Sequence, residues 1–181
     1  MARTVALTGT PGTGKSSVAE RLAPRWHCVE VASLARTHHA ARTVAGGVEV
    51  DLPRLRRELA KPGGLRGIDV VVGHLAHLLP VRDVVVLRCH PIELEQRLRR
   101  ARRGSPSDRR ENASAEATDV VLAEAVGPGR RVWEFDTTGR TVSAVARSVA
   151  RRLRLRGPSV VGAVDWLADP TVTAHLLERP P

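Results

Sequence analysis

The sequence predicts an α/β fold built around a parallel sheet. Short apolar runs rich in valine recur along the chain, and stretches with helical spacing separate them. This alternation is typical of units in which parallel strands are joined by helices. The 181 residues are 42% hydrophobic, which is enough to bury a core within one compact domain.

The first third of the chain contains two predicted strands and three predicted helices. The strand RTVALTG leads through a glycine-rich loop into the helix KSSVAERLA, which Pro24 ends, and HCVEV is the second strand. Ser33 is the predicted N-cap of the helix LARTHHAAR. Asp51 is the predicted N-cap of the helix LPRLRREL, whose first turn tolerates Pro53.

The rest of the chain continues the alternation up to residue 156. In order, its elements are the strands GIDVVVG and RDVVVLRC, the helices PIELEQRLRRAR and SAEATDVVLAEAV, the strand RRVWEFD and the helix TVSAVARSVARRL. From Gly157 the chain is richer in proline and loses its periodicity, although VDWL offers apolar side chains for docking. We therefore expect a domain over residues 1–156 and a C-terminal tail over residues 157–181 that packs on it or extends from it.

The glycine-rich loop carries the clearest functional signal. It forms G-x-x-x-x-G-K-S from Gly9 to Ser16, directly after a strand and at the start of a helix, which predicts a nucleoside triphosphate site. The glycines let backbone N–H groups point at the α- and β-phosphates, and the helix N-terminus adds positive charge. Lys15 is placed to reach the β- and γ-phosphates, the Ser16 hydroxyl to ligate Mg²⁺, and Ser17 to bind an α-phosphate oxygen.

Length and motif content narrow the class of nucleotide-binding protein. The chain has no N-K-x-D element, with which the usual GTPases select guanine, and it is too short for a helicase or a transporter ATPase. A small nucleotide or metabolite kinase and a compact ATPase remain.

The net charge of +10 comes almost entirely from arginine, since Lys15 and Lys61 are the two lysines. A genome whose base composition favours arginine codons would explain this bias. A polyanionic partner that binds a positive surface would also explain it. Most arginines between Arg97 and Arg110 are expected on a solvated helix face, with a contact to ribosomal RNA phosphates as the alternative. A second group comprises Arg147, Arg151, Arg152, Arg154 and Arg156. The chain has no tyrosine and one phenylalanine, so RNA would be bound through phosphates rather than by stacking.

Cysteine usage and hydropathy favour a reduced, cytoplasmic setting. Cys28 and Cys89 form no C-x-x-C pair and lie in apolar strand-like runs, where a core role is expected. No apolar run approaches the roughly 20 residues of a membrane span, and the chain enters a strand at once, which leaves no room for a signal peptide. The histidines at 74, 77 and 90 lack the spacing of a zinc site.

Four segments together resemble the archaeal and eukaryotic proteins called adenylate kinase isoenzyme 6. They are GTPGTGKSS, SLAR, GHLAHLLPVRDVVVLRCHPIELEQRLRRARRG and RRENASAEATDVVLAEAV, with VDWL as weaker support. The resemblance covers most of the chain. It implies a P-loop fold with a five-stranded parallel sheet flanked by helices, an insertion that binds a nucleoside monophosphate (NMP), and a short lid that carries an arginine. Members are described as broad-specificity NMP kinases with ATPase activity. They also act in late maturation of the small ribosomal subunit and its 16S rRNA, through a ribosomal protein of the uS11 type.

The resemblance also implies roles for individual residues. The ATP-binding loop corresponds to Gly12, Gly14, Lys15, Ser16 and Ser17. Arg36 corresponds to the arginine of the NMP-binding region, which runs from about residue 29 to 52. Arg103 corresponds to the lid arginine that covers ATP, in a lid that continues to about residue 113. His74 corresponds to the histidine after the third strand, and the implied catalytic residues are Lys15, Arg103 and His74.

Two features depart from the family pattern. The family has a carboxylate two residues before the histidine, where it helps to hold Mg²⁺ or its waters, and here that position is Val72. Asp69 lies three residues earlier and is no obvious substitute, so Ser16, the phosphates and water are left to hold the metal. The NMP-binding region has TVAGGVEVD in place of most of the usual acidic and aromatic residues, which leaves the acceptor open.

We therefore expect an NMP kinase that transfers the γ-phosphate of MgATP to AMP or a related NMP. Arginines on two mobile flaps would align donor and acceptor and exclude water, so the balance of kinase and ATPase activity depends on lid closure. One alternative is an ATP-driven assembly factor that acts on uS11 and the pre-30S particle, with incidental kinase activity. The other is a small-metabolite kinase on the same fold.

Overall fold

A five-stranded parallel sheet forms the centre of the protein. The computed structural model describes residues 4–44 and 47–178. The strands are β1 (Val5–Thr8), β2 (Cys28–Glu30), β3 (Ala41–Val44), β4 (Gly47–Val50), β5 (Val70–Val72), β6 (Asp83–Arg88) and β7 (Arg131–Asp136). The large sheet has the order β2-β5-β1-β6-β7, and each neighbouring pair runs parallel. The predicted α/β fold with five parallel strands is therefore confirmed.

Helices cover both faces of this sheet. They are α1 (Lys15–Leu22), α2 (Val31–Thr37), α3 (Leu52–Ala60), α4 (Pro91–Arg100), α5 (Pro106–Ala117), α6 (Val120–Ala125), α7 (Val142–Leu155) and α8 (Pro170–Leu177), with a 3₁₀ turn at Ala76–Leu78. Alternate strand residues face opposite sides, so that Ala6 and Val71 pack with α2, α3 and α6, while Leu7 and Val72 pack with α1 and α7. Within the described ranges, none of these helices has the length and apolar composition of a membrane span.

Helix α2 lies within the segment expected to bind the NMP, residues 29–52, and α3 begins at the end of that segment. Asp51 caps α3 as predicted, because its side chain accepts a hydrogen bond from the backbone N–H of Arg54 (2.9 Å). The predicted Ser33 cap was wrong. Because α2 already begins at Val31, directly after β2, Ser33 lies inside the helix.

The chain after α2 forms a hairpin rather than the rest of one long helix. The helix ends at Thr37, and His39 then adopts a left-handed φ of 52°, which turns the chain away. The antiparallel strands β3 and β4 follow, and their β-branched residues suit a strand better than a helix. Ala45 and Gly46, within the TVAGGVEVD segment, lie outside the described residues.

The stretch SAEATDVVLAEAV, predicted as one helix, is divided between α5 and α6. Asp119 separates the two helices with a left-handed φ of 57°. Helix α5 also starts earlier than predicted, at Pro106, where Ser105 and Asp108 form a capping box. The break has a tertiary cause, since the Asp119 carboxylate turns towards the buried side chain of Arg88.

The tail after Gly157 runs along the body and contains α8, which the sequence periodicity did not predict. Helix α8 contacts α4 and α5, and Val172 on it is fully buried. Trp166, in the VDWL segment, packs edge-on against His90, with 5.2 Å between the ring centroids. The tail thus covers the outer side of the helices that precede and follow Arg103.

Candidate active site

The loop between β1 and α1 has the geometry of a phosphate cradle. Gly9 lies so close to β6 that a Cβ atom there would be 2.3 Å from the carbonyl oxygen of Leu87, so only glycine fits. Gly14 is the N-cap residue of α1 and has a left-handed φ of 93°. Thr13 closes the loop, because its hydroxyl donates to the carbonyl of Thr10 (2.9 Å). The unpaired N–H groups in the first turn of α1 are therefore available to an anion above the loop.

Lys15 is held over the loop by backbone carbonyls. Its Nζ donates to the carbonyl oxygens of Gly9 (2.7 Å) and Thr10 (2.9 Å). Burial lowers the pKa of this ammonium group to about 8, and the negative charges of Glu116 and Glu30 oppose part of that shift. Like these two carboxylates, a bound phosphate would favour the charged form of Lys15. The ammonium group and a polyphosphate therefore stabilise each other.

A cavity of about 620 Å³ opens above the loop, and its size is typical of small-molecule sites. The predicted site residues that line it are Gly12, Gly14, Lys15, Ser16, Ser17, His74 and Arg103. Arg36 is not among the lining residues, and its side chain is exposed in the last turn of α2. The structure thus brings together the residues expected to bind ATP and leaves the one expected to bind the acceptor outside their cavity.

Arg103 and His74 shape the electrostatics of this cavity. Arg103 follows α4, and its positive charge contributes to the lowered pKa of Lys15. Partial burial, and then the charge of Lys15, lower the pKa of His74 below its ordinary value. Burial thus favours the neutral imidazole, in which one ring nitrogen donates a hydrogen bond and the other accepts one.

Part of the cavity wall is apolar. Its apolar lining includes Leu98, Ala101, Val142 and Val145. Ligand cavities are commonly lined in this way, by apolar side chains with a few polar groups among them. Thr137 and Arg140, in the turn after β7, also line the cavity, and sequence reasoning missed both. Their place at the carboxyl end of a parallel strand was the available signal, since open α/β sheets bind ligands at that edge.

Comparison with known proteins identifies the family of this chain. Residues 5–119 match a family model described as an AAA domain. A protein named "Putative adenylate kinase" from Thermococcus onnurineus is 35% identical and covers 90% of each chain. Its namesake from Archaeoglobus fulgidus is 39% identical over 91% of this chain and 92% of its own, and that from Natronomonas pharaonis is 40% identical over 90% and 96%. The chain belongs to this archaeal adenylate kinase family.

Solved structures extend the likeness at the level of the fold. A shikimate kinase from Bacteroides thetaiotaomicron has a TM-score of 0.54 at 14% identity, covering 84% of this chain and 99% of its own. A gluconokinase from Sinorhizobium meliloti has a TM-score of 0.50 at 18% identity, covering 84% and 92%. At such identities the likeness shows the fold alone. Membership in the adenylate kinase family confirms the resemblance found in the sequence motifs and the expectation of a phosphotransferase.

Mg²⁺, which ATP use by an adenylate kinase implies, has suitable oxygen atoms beside the loop. The hydroxyl of Ser16 donates to Oε1 of Glu30 (3.1 Å). Hydroxyl and carboxylate oxygens suit this cation, which commonly takes one or two protein groups together with phosphates and waters. Over residues 4–44 and 47–178, no three His, Cys, Asp or Glu side chains are grouped as a metal site. The residues present therefore fit a cation that arrives with the nucleotide, and Ser16 is placed to meet it.

Val72 and Asp69 contribute no side-chain oxygen to this group of oxygen atoms. Val72 is 1% exposed, and its strand β5 lies between β1 and β2, where it packs in the apolar cluster shared with α1 and α7. Asp69 precedes β5, at the opposite edge of the sheet, and accepts a hydrogen bond from the backbone N–H of His27 (2.8 Å). Neither residue can act on a metal at the loop.

A buried ion network joins the loop to α5. Arg88, at the end of β6, is 1% exposed and bonds to Glu116 (2.7 Å) and Glu134 (2.6 Å). It also pairs with Asp119. Glu116 in turn accepts a hydrogen bond from the hydroxyl of Thr10 in the loop (2.5 Å). The same buried charges therefore set both the position of α5 and the shape of the loop.

We expect Glu116→Ala to lower the free energy of unfolding by about 3 kcal/mol, because it leaves the buried Nε of Arg88 and the hydroxyl of Thr10 without their acceptor. Urea unfolding of the variant and the parent protein measures the loss. Glu111→Ala is the matched control, since Glu111 is exposed on the same helix, and its effect should stay within about 0.5 kcal/mol. Equal stabilities of the two variants would contradict a structural role for the network.

Proposed function

We propose that the protein is an ATP-dependent NMP kinase, which transfers the γ-phosphate of MgATP to AMP or a related NMP. The observation that carries the proposal is a single cavity whose lining combines Lys15, Arg103 and the phosphate loop with apolar side chains. The positive groups suit a polyphosphate, and the apolar side chains suit a nucleobase. The name shared by the archaeal relatives favours a nucleotide acceptor over the small metabolites of the two kinases with a similar fold.

In this proposal the protein aligns two substrates and spreads the charge of the moving phosphoryl group. The N–H groups of the loop and of α1 hold the phosphates. Lys15 leaves the loop carbonyls for the β- and γ-phosphates, while Arg103 neutralises charge from the proposed lid, residues 103–113. His74 orients an oxygen of the γ-phosphate. Mg²⁺, when bound with the nucleotide, supplies further neutralisation of the phosphate charge.

The acceptor is proposed to bind beside α2, within residues 29–52. Arg36 is exposed there and lies outside the ATP cavity, so its guanidinium is available to a second ligand. A guanidinium can bind a phosphate group through two parallel hydrogen bonds. Closure of the lid over both nucleotides would exclude water, and incomplete closure admits it. We therefore also propose an ATPase activity.

A second candidate function, an ATP-driven assembly factor for the small ribosomal subunit, is favoured by a groove between α1 and α7. The groove has a volume of about 560 Å³, and its lining includes Arg21, Arg25, Arg147, Arg151 and Arg154. All five arginines are exposed. No carboxylate in the described part of the chain lies within ion-pair distance of them. Clustered arginines without carboxylate partners attract a phosphate backbone.

The arginine groove is a better candidate for RNA than the cluster between Arg97 and Arg110. In that cluster Arg97 is paired with Glu93 (2.5 Å), and Arg110 donates to the carbonyl of Glu178 (2.6 Å). Arg109 likewise donates to the carbonyl of Gly104 (2.6 Å), so three arginines of the cluster have partners within the protein, whereas each of the five groove arginines lacks a carboxylate partner among the described residues. We propose that phosphates of 16S rRNA in the pre-30S particle bind the groove, and that ATP turnover is coupled there to a uS11-type protein.

Lys15→Ala should lower the rate of phosphoryl transfer about a hundredfold or more, because one preorganised contact to the transferring phosphates is worth about 3 kcal/mol. A coupled assay with MgATP and each NMP in turn, followed by product analysis, measures the rate and identifies the acceptor. Lys61→Ala is the control, since Lys61 pairs with Glu58 away from the cavity. Near-normal turnover by Lys15→Ala would exclude the loop as the catalytic site.

Arg103 and Arg36 should act on different substrates. Arg103→Ala is expected to slow both ATP hydrolysis and NMP phosphorylation, because the Arg103 side chain lines the ATP cavity. Arg36→Ala should mainly raise the KM for the NMP and leave ATP hydrolysis without NMP unchanged. Steady-state kinetics with and without NMP separate these effects. The division of roles is wrong if the two variants lose the same fraction of ATP hydrolysis measured without NMP.

The double variant Arg147→Ala/Arg151→Ala should weaken the binding of a single-stranded RNA and leave kinase activity unchanged. Two lost phosphate contacts should also reduce the slope of log K against log salt concentration by about 1.4, since each contact contributes about 0.7. Fluorescence anisotropy over a salt series measures both effects. The control is Arg54→Ala/Arg56→Ala, which removes the same charge from the exposed side of α3, outside the groove. An equal loss of RNA binding by both double variants would show that net charge, not the groove, is responsible.

A further inference from the structure

Glu30 combines a negative charge with a position in a cavity built for anions. Of the described residues that line the cavity, Glu30 alone carries a carboxylate. The Glu30 side chain is exposed to the cavity, and its hydrogen-bond partner there is the Ser16 hydroxyl. A carboxylate beside a triphosphate is unfavourable, since like charges repel most strongly where water is scarce. The arrangement becomes favourable when a cation lies between the two.

The backbone fixes Glu30 at this place. It is the last residue of β2 and also the N-cap residue of α2, with extended dihedral angles. The parallel pairing of β2 with β5 sets Glu30 directly beside Val72, as Cα partners. The buried Val72 cannot offer a carboxylate to the loop, but the neighbouring strand presents one at the same level of the sheet.

In the hydrogen bond between Ser16 and Glu30, the Ser16 hydroxyl is the donor, and this direction is compatible with cation binding by the hydroxyl oxygen. The Ser16 hydroxyl donates its proton to Oε1 of Glu30 over 3.1 Å, which leaves the lone pairs of the hydroxyl oxygen free for a cation. Mg²⁺ keeps several of its waters when it binds beside phosphates, and those waters need acceptors. The second carboxylate oxygen of Glu30 can accept from such a water.

We propose that Glu30 positions the Mg²⁺ of MgATP by accepting hydrogen bonds from Ser16 and from metal-bound water, in place of the carboxylate that Val72 lacks. The proposal rests on the proposed function, since it requires that the cavity binds MgATP. Glu30 acts through the ligands of the metal and is a positioning residue. Its removal should therefore change the metal dependence of nucleotide binding as well as the rate of transfer.

The test is nucleotide affinity as a function of Mg²⁺ concentration, measured with a fluorescent ATP analogue and without turnover. Glu30→Gln keeps the size of the side chain and removes its charge. We expect this variant to need about tenfold more Mg²⁺ for half-maximal tightening of binding, as is usual when a group that orients metal ligands is lost. It should bind the metal-free analogue at least as tightly as the parent protein, because a repulsive charge is gone. Glu30→Asp restores the charge on a shorter side chain. The Mg²⁺ concentration that it needs should lie between those of Glu30→Gln and the parent protein.

Glu20→Gln is the matched control, because Glu20 is exposed on α1 outside the cavity and its substitution changes the net charge equally. The proposal is overturned if Glu30→Gln keeps the Mg²⁺ midpoint of the parent protein or if Glu20→Gln shifts it as far. It is also overturned if Glu30→Gln weakens metal-free and metal-bound nucleotide alike, which is the signature of a merely structural role. A parent protein that binds no analogue at any Mg²⁺ concentration would overturn the proposed function itself.

Discussion

The buried charge of Arg88 is the constraint on which the arrangement of the site depends. A guanidinium inside a sheet is stable only when carboxylates and hydrogen bonds replace the water it has lost. Its three acidic partners come from distant parts of the chain, with Glu116 on α5, Asp119 at the break before α6 and Glu134 on β7. Each pair ties one element to the end of β6. The carboxyl edge of the sheet and the helices around it are therefore fixed together.

The network reaches the phosphate loop through one hydroxyl. Thr10 donates to Glu116, and the loop then closes on itself through Thr13 and Lys15, which both bond to the carbonyl of Thr10. Electrostatic binding sites work best when their dipoles are fixed before the ligand arrives, since no energy is then lost in reorganising them. The loop is fixed in this way by buried charges that do not themselves line the cavity.

The sequence allowed the parts of the fold that depend on local chemistry to be predicted. The spacing of the loop, the valine-rich strands and the Asp51 cap each follow from a few adjacent residues, and the structure contains all three. The hairpin after α2 and the break at Asp119 were not predicted, because both go against helical spacing. The break reflects the pairing of Asp119 with the distant Arg88. The position of Glu30 in the cavity was not predicted either, because Ser16 and Val72 become its neighbours only once the strand order is known.

Helix α5 is held by buried ion pairs at its C-terminal end and follows a sharp bend of the chain at its N-terminal end. Glu116 holds its C-terminal turn in the buried network, whereas Arg103 precedes its exposed N-terminal end. Arg102 and Gly104, on either side of Arg103, both have left-handed φ values, so the chain bends sharply there. The helix has 12 residues, and at about 1.5 Å per residue its length is about 18 Å. Arg103, which lines the cavity, and the buried pairs that hold the helix therefore lie at opposite ends of one rigid element. A change in the charges of the buried pairs would be transmitted to the cavity through the backbone of α5 rather than through direct contact.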